Sequence, residues 1–172
     1  MKKISPAFAT TLVSLTLLAV PGVAGAAANP SEKILDFDTM AGVSRPFTGP
    51  TNPIRGVGGG GLPWVLERAQ GVLRADGRLD IQVRGLVLAD DEAVPPDRRL
   101  TNPVPNFRAI VSCLSVDQVG TPTMVNASTE EFPASTTGDA RIVATVVLPT
   151  PCLAPVVFVT NPGGAWFAVT GR

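Results

Sequence analysis

Four acids stand close together at Asp90, Asp91, Glu92 and Asp97, and Asp76 and Asp80 flank a second short stretch. Carboxylates grouped in a loop are the oxygen donors that Ca²⁺ selects, and Ca²⁺ is the one cofactor this composition leaves open. The spacing argues against it, because no D-x-D-x-D-G run with a trailing Glu occurs. The stretch reads more simply as a solvated acidic loop. Carboxylate pairs could also cleave a glycosidic bond, one as acid and one as nucleophile. Glu67 with Asp80 and Glu130 with Glu131 are the nearest pairs, but adjacent residues on an extended strand face opposite ways.

Absences narrow the chemistry further. The chain has no His, so neither a Ser-His-Asp nor a Cys-His site can be built, and no His-ligated Zn or Cu centre. It has no Tyr and only two Trp and seven Phe. Sugar clefts use aromatic platforms, which leaves Trp64 and Trp166 as the residues on which a glycan reading rests. Gly56-Val57-Gly58-Gly59-Gly60-Gly61 resembles a phosphate loop in composition alone. Leu62-Pro63-Trp64 follows where a Lys and a Ser or Thr are needed, so a flexible loop entering a strand is expected. Asn126-Ala127-Ser128 has the form of a glycosylation sequon. Arg98-Arg99, among prolines, could be a processing site or a protease-inhibitor loop.

Cys113 and Cys152 are the only cysteines. In an oxidising compartment they should form a disulfide, and closing a loop of about 40 residues is worth on the order of 4 kcal/mol in the chain-entropy model.

These residues must be held by strands. Pro and Gly, 17 of each, punctuate the chain too often for long helices. Ile142, Ala144, Val146 and Leu148 alternate with Arg141, Val143, Thr145 and Val147, a period of two. Phe107, Ala109, Val111 and Cys113 share one face of another strand. A three-residue loop, Ala75-Asp76-Gly77, with Gly in the left-handed position, sets Leu73 opposite Leu79. It puts Ala69, Gly71 and Leu73 on one face with Leu79, Ile81 and Val83. Asn161-Pro162-Gly163-Gly164 suggests a type II turn with Gly163 left-handed. Seven or eight strands follow, near 36–40, 64–74, 78–88, 107–117, 122–127, 139–148, 155–160 and 165–170. The fold expected is an all-β antiparallel sandwich, with a small β-barrel as the alternative.

The N-terminus reads as a signal peptide over residues 1–26. Lys2 and Lys3 precede an uncharged, apolar stretch from Ala7 to Val20, and Ala24-Gly25-Ala26 suits a peptidase. Cleavage after Ala26, or after Ala28, leaves about 146 residues in one domain over 27–172. The remaining 12 basic and 14 acidic residues give a net charge of −2. No basic block stands out, so nucleic acid is not an expected partner, and no membrane span is expected after cleavage.

Two long loops, 45–63 and 90–106, exceed what a compact domain needs for connection. The second combines charges with paired prolines, and a stiff loop loses little entropy on binding. The expected function is that of an exported, secreted, non-enzymatic domain. It would bind an extracellular or envelope protein or glycan through Asp91, Glu92, Pro95, Pro96, Asp97, Arg98 and Arg99. The alternatives are a carboxylate-based secreted hydrolase acting on glycans and a purely structural surface domain. The loop is expected to be replaceable by a short linker without loss of folding.

Overall fold

A computed structural model describes residues 29–171; the expected signal segment, 1–26, lies outside them. Each stretch expected to be extended contains a strand, though the one expected near 36–40 runs Lys33–Phe37 and the one expected over 139–148 stops at Thr145. In chain order they are β1 (Lys33–Phe37), β2 (Ala41–Gly42), β3 (Trp64–Val65), β4 (Arg68–Arg74), β5 (Arg78–Arg84), β6 (Val87–Leu88), β7 (Asn106–Val116), β8 (Pro122–Ser128), β9 (Phe132–Pro133), β10 (Ala140–Thr145), β11 (Leu153–Thr160) and β12 (Trp166–Val169). One sheet has the order β1-β4-β5-β10, and the second runs β2-β12-β11-β7-β8 with β9 on β7. Every pairing between these strands is antiparallel. The fold is the all-β sandwich that the alternation implies.

The core is where the apolar halves of both patterns meet. Leu73, Leu79, Ile81 and Ile142 from the first sheet join one buried cluster with Phe107, Val111, Val157 and Phe158 from the second. Leu73 stands opposite Leu79, as the loop parity requires. Phe37 pairs with Gly71, and its ring fills the space that a side chain at Gly71 would occupy. An aromatic ring laid over a cross-strand glycine supplies the packing that the glycine lacks.

Two expected strands are broken. The arms at 64–74 and 78–88 each split, so β3 and β6 form a separate two-stranded pair in which Trp64 faces Leu88. The break falls at Gly85, which takes φ 64°. The turn at 161–164 also differs from expectation. Gly164, at φ 87°, is the left-handed residue, and Gly163 is not. Asn161 accepts from the Gly164 N–H and donates its own N–H to Ala165, so the loop is the three-residue kind ending in a left-handed glycine. Four hairpins use this device, with Gly77, Gly120, Gly138 and Gly164 in the third loop position.

Cys113 and Cys152 are joined, with Cα atoms 5.0 Å apart. Cys113 lies on the buried face of β7 with Phe107, Ala109 and Val111. Its partner sits just before β11, the strand beside β7, so the bond ties adjacent strands of one sheet.

Candidate functional site

The 90–106 segment is not a free connector. Val94, in its acidic half, is 0% exposed and belongs to the main core. Asn102 is buried, and its amide donates to the carbonyls of Val104 and Ser135 while its carbonyl accepts from the Val104 N–H. Leu100 N–H donates to Leu88 C=O, and Leu88 N–H donates to Thr101 C=O, which fastens the far arm to β6. Between these anchors a single 3₁₀ turn covers Pro96–Arg98. The expectation that a short linker could replace this segment fails on Val94 and Asn102.

The candidate binding residues separate into two groups. Asp91 accepts from the Ala93 N–H and meets Arg45 at 3.3 Å. Arg99 turns back to donate to Val94 C=O and to the Asp90 carboxylate. These side chains brace the loop. Glu92, Pro95, Pro96, Asp97 and Arg98 are exposed; among the described residues, Glu92 alone of these forms an ion pair, with Arg45 at 3.7 Å. Arg98 and Arg99 therefore do not present one uniform dibasic surface.

Leu100 was not singled out by sequence reasoning. It holds φ 55° and leaves 61% of its surface in water. For a bulky L-residue that backbone costs about 1–2 kcal/mol, and exposure forgoes the gain of burying the side chain. Its own N–H is fixed to Leu88 C=O.

The second long loop is a strap across the sheet end. Trp166 N–H donates to Gly58 C=O and Gly60 N–H to Trp166 C=O, which joins the glycine run to β12. A side chain at Gly59 would overlap the Phe47 carbonyl, and one at Gly60 would meet the Phe167 ring at 2.9 Å. The glycines serve close packing, and the expected flexible loop is corrected on that ground. Asn126 of the sequon is exposed, and its amide donates to Arg55 C=O. Thr-Asn-Pro occurs at 51–53, 101–103 and 160–162, and Asn52, Asn102 and Asn161 each bond backbone through the side chain.

Of the enzyme candidates, Asp80 and Glu130 share the lining of one concavity with Phe37, and neither Trp lines it. Trp64 and Trp166 are buried, Trp64 stacking on Phe167 with centroids 3.8 Å apart. Asp80 is paired with Arg141 at 3.0 Å, Glu67 lies against Gly85, and Glu131 meets Asn106. Among the described residues no three His, Cys, Asp or Glu side chains gather as a metal site.

A concavity of about 910 Å³ lies on the outer face of the first sheet, with Asp36, Gln70, Asp80, Gln82 and Arg141 in its lining. Within the lining Asp80 pairs with Arg141 and Gln70 with Gln82, while Asp36, Arg74 and Arg78 bond to Lys33, Ser31 C=O and Asp76 outside it.

No known protein family, curated protein or solved structure matches this chain.

Proposed function

We propose that this chain is an exported, non-catalytic β-sandwich that binds a protein of the envelope or extracellular space through the 90–106 loop. The observation that carries the reading is Leu100, held left-handed and mostly exposed between anchored arms. Strained, exposed apolar residues persist where a binding surface is preorganised. Asp97 and Arg98, both exposed, flank it with charge. With both Trp buried, a protein contact suits this surface better than a sugar stack. Export is supported by the N-terminal charge and apolar pattern together with the Cys113–Cys152 bond. Among the described residues no helix is long and apolar enough to cross a membrane.

The test compares capture of partners from envelope extract and culture medium by the wild-type protein, by Leu100→Asn and by Val147→Asn. Asn tolerates the left-handed region, so Leu100→Asn keeps the backbone while removing the apolar group. Val147 is 90% exposed elsewhere and serves as the control. Captured proteins should be lost with Leu100→Asn alone, at an unchanged melting temperature. Equal capture by all three would refute the loop as the binding surface. Intact mass of the exported form should place its first residue at Ala27 or Asn29.

A further inference from the structure

The sandwich has four sheet edges, and three are blunted. β1 carries Lys33 and Asp36 and a register shift between Lys33 and Leu35. β10 carries Arg141, and its first residue is bridged to Ala134. β2 is two residues long and is followed by Val43, whose carbonyl accepts from Trp64. β8 differs from all three. Its seven residues, Pro122–Ser128, include no charge and pair with β7 without a shift. Charges, bulges, short length, prolines and covering loops are the usual protections of an edge; β8 has only Pro122 at its first residue and the contact of Asn126 with Arg55 C=O near its last.

The hydrogen-bonding direction along β8 follows from its two ends. Asp117 N–H donates to Thr121 C=O, and Thr129 N–H donates to Ala109 C=O. Bonded and non-bonded pairs alternate in an antiparallel ladder. Thr123, Val125 and Ala127 therefore bond β7, while Pro122, Met124, Asn126 and Ser128 direct their backbone groups outward. Pro122, which has no N–H, falls on an outward position, as edge prolines do. Among the described residues nothing outside β7 bonds the backbone of β8.

An apolar row leads to this edge. Leu153, Leu114 and Met124 are direct neighbours on β11, β7 and β8, and they are 56%, 44% and 43% exposed. Val116, two residues on from Leu114, extends the patch. Exposed apolar residues in register across three strands are the mark of an interaction surface.

We infer that β8 pairs with β8 of a second copy of this chain, antiparallel, about a two-fold axis normal to the sheet at Met124. Three features favour a second copy over a foreign strand. A neutral strand can pair with itself without setting like charges opposite each other. With Met124 on the axis, the row Leu153-Leu114-Met124 meets its own image on the same face, doubling one continuous apolar ladder. The outward groups also match. Met124 N–H would donate to the carbonyl of Met124 of the partner subunit, and Asn126 N–H to that of Pro122 of the partner subunit. Each bond recurs by symmetry, as an isologous contact requires.

Sedimentation of the purified protein over a wide concentration range tests this. A reversible dimer is expected. Met124→Lys should weaken it by at least about tenfold while the melting temperature stays fixed, since a charged edge residue opposes pairing. Should the Lys variant fold poorly, Asn126→Pro removes an outward N–H without touching the bonds to β7. Met124→Cys should give a reductant-sensitive dimer, and Thr123→Cys, which faces the core side, should not. A monomer at every concentration overturns the inference and leaves a strand from another protein as the occupant of that edge. Self-association that survives both Met124→Lys and Asn126→Pro overturns it as well. The Leu100 contact does not enter this assay, so either reading can fail without the other.

Discussion

Replacing Val94 by Ala asks whether the 90–106 loop is part of the domain or an appendage to it. Val94 is fully buried in the main core. The change removes two methyl groups, each worth about 0.8 kcal/mol in transfer from water. Incomplete collapse around the vacated volume adds roughly 1 kcal/mol. The expected loss is therefore about 2–3 kcal/mol, or a fall in melting temperature of about 5–10 °C for a chain this size. Urea unfolding followed by circular dichroism would measure it, with the slope unchanged if unfolding stays two-state. The buried amide of Asn102 anchors the other arm, so the loop should stay closed and the loss should appear in global unfolding. A loss under about 0.5 kcal/mol would mean that the loop opens independently of the sheets. The braced display of Leu100 would then lose its basis.

Gly60→Ala should destabilise the protein by about 1–3 kcal/mol, because the added carbon meets the Phe167 ring at 2.9 Å and Trp64 Nε1 at 3.4 Å. Thermal melts would register it, and an unchanged melting temperature would show that the strap gives way easily. Asp117 tests the hairpin turns by pH. The Thr121 N–H, opposed by partial desolvation and helped by the Val119 N–H, holds its carboxyl below the usual carboxylate range. A depressed folded-state value stabilises the fold above the unfolded value, about 4, and that contribution disappears as pH falls through the folded value. Wild-type urea midpoints should thus fall more steeply between about pH 5 and pH 2 than those of Asp117→Ala; parallel curves would exclude this contribution.

The hairpin at 75–77 was legible because one glycine, flanked by alternating strands, allows only one parity. At 161–164 two consecutive glycines offered two left-handed positions, and local pattern could not choose between them. Asn161, accepting from Ala165 across the loop, goes with the second. The same signature stands at Asp117…Gly120 and Ser135…Gly138, where a polar first residue precedes glycine by three. It could have been read from the sequence. The glycine run could not, because what forbids side chains there is the Phe47 carbonyl and the Phe167 ring. Val94 and Asn102 were hidden for a related reason. A single buried residue in a polar stretch has no period to announce it. The outer groove was equally illegible, since Asp36, Val72, Asp80 and Val143 become one row only through three pairings across the sheet.

The stacking of Trp64 on Phe167 beneath the glycine strap has a spectroscopic consequence. The chain holds two indoles and no phenol, so its near-ultraviolet emission comes from Trp64 and Trp166 alone. Both are buried, and both adjoin the strap, Trp64 beside Gly60 and Trp166 bonded to Gly58 and Gly60. Among the described residues the buried Trp166 Nε1 has no hydrogen-bond partner, an environment that keeps indole emission toward the blue. A red shift on gentle heating, arriving before the loss of strand signal, would therefore time the strap's release from the sheet. The protein thus carries an intrinsic optical reporter of one local event.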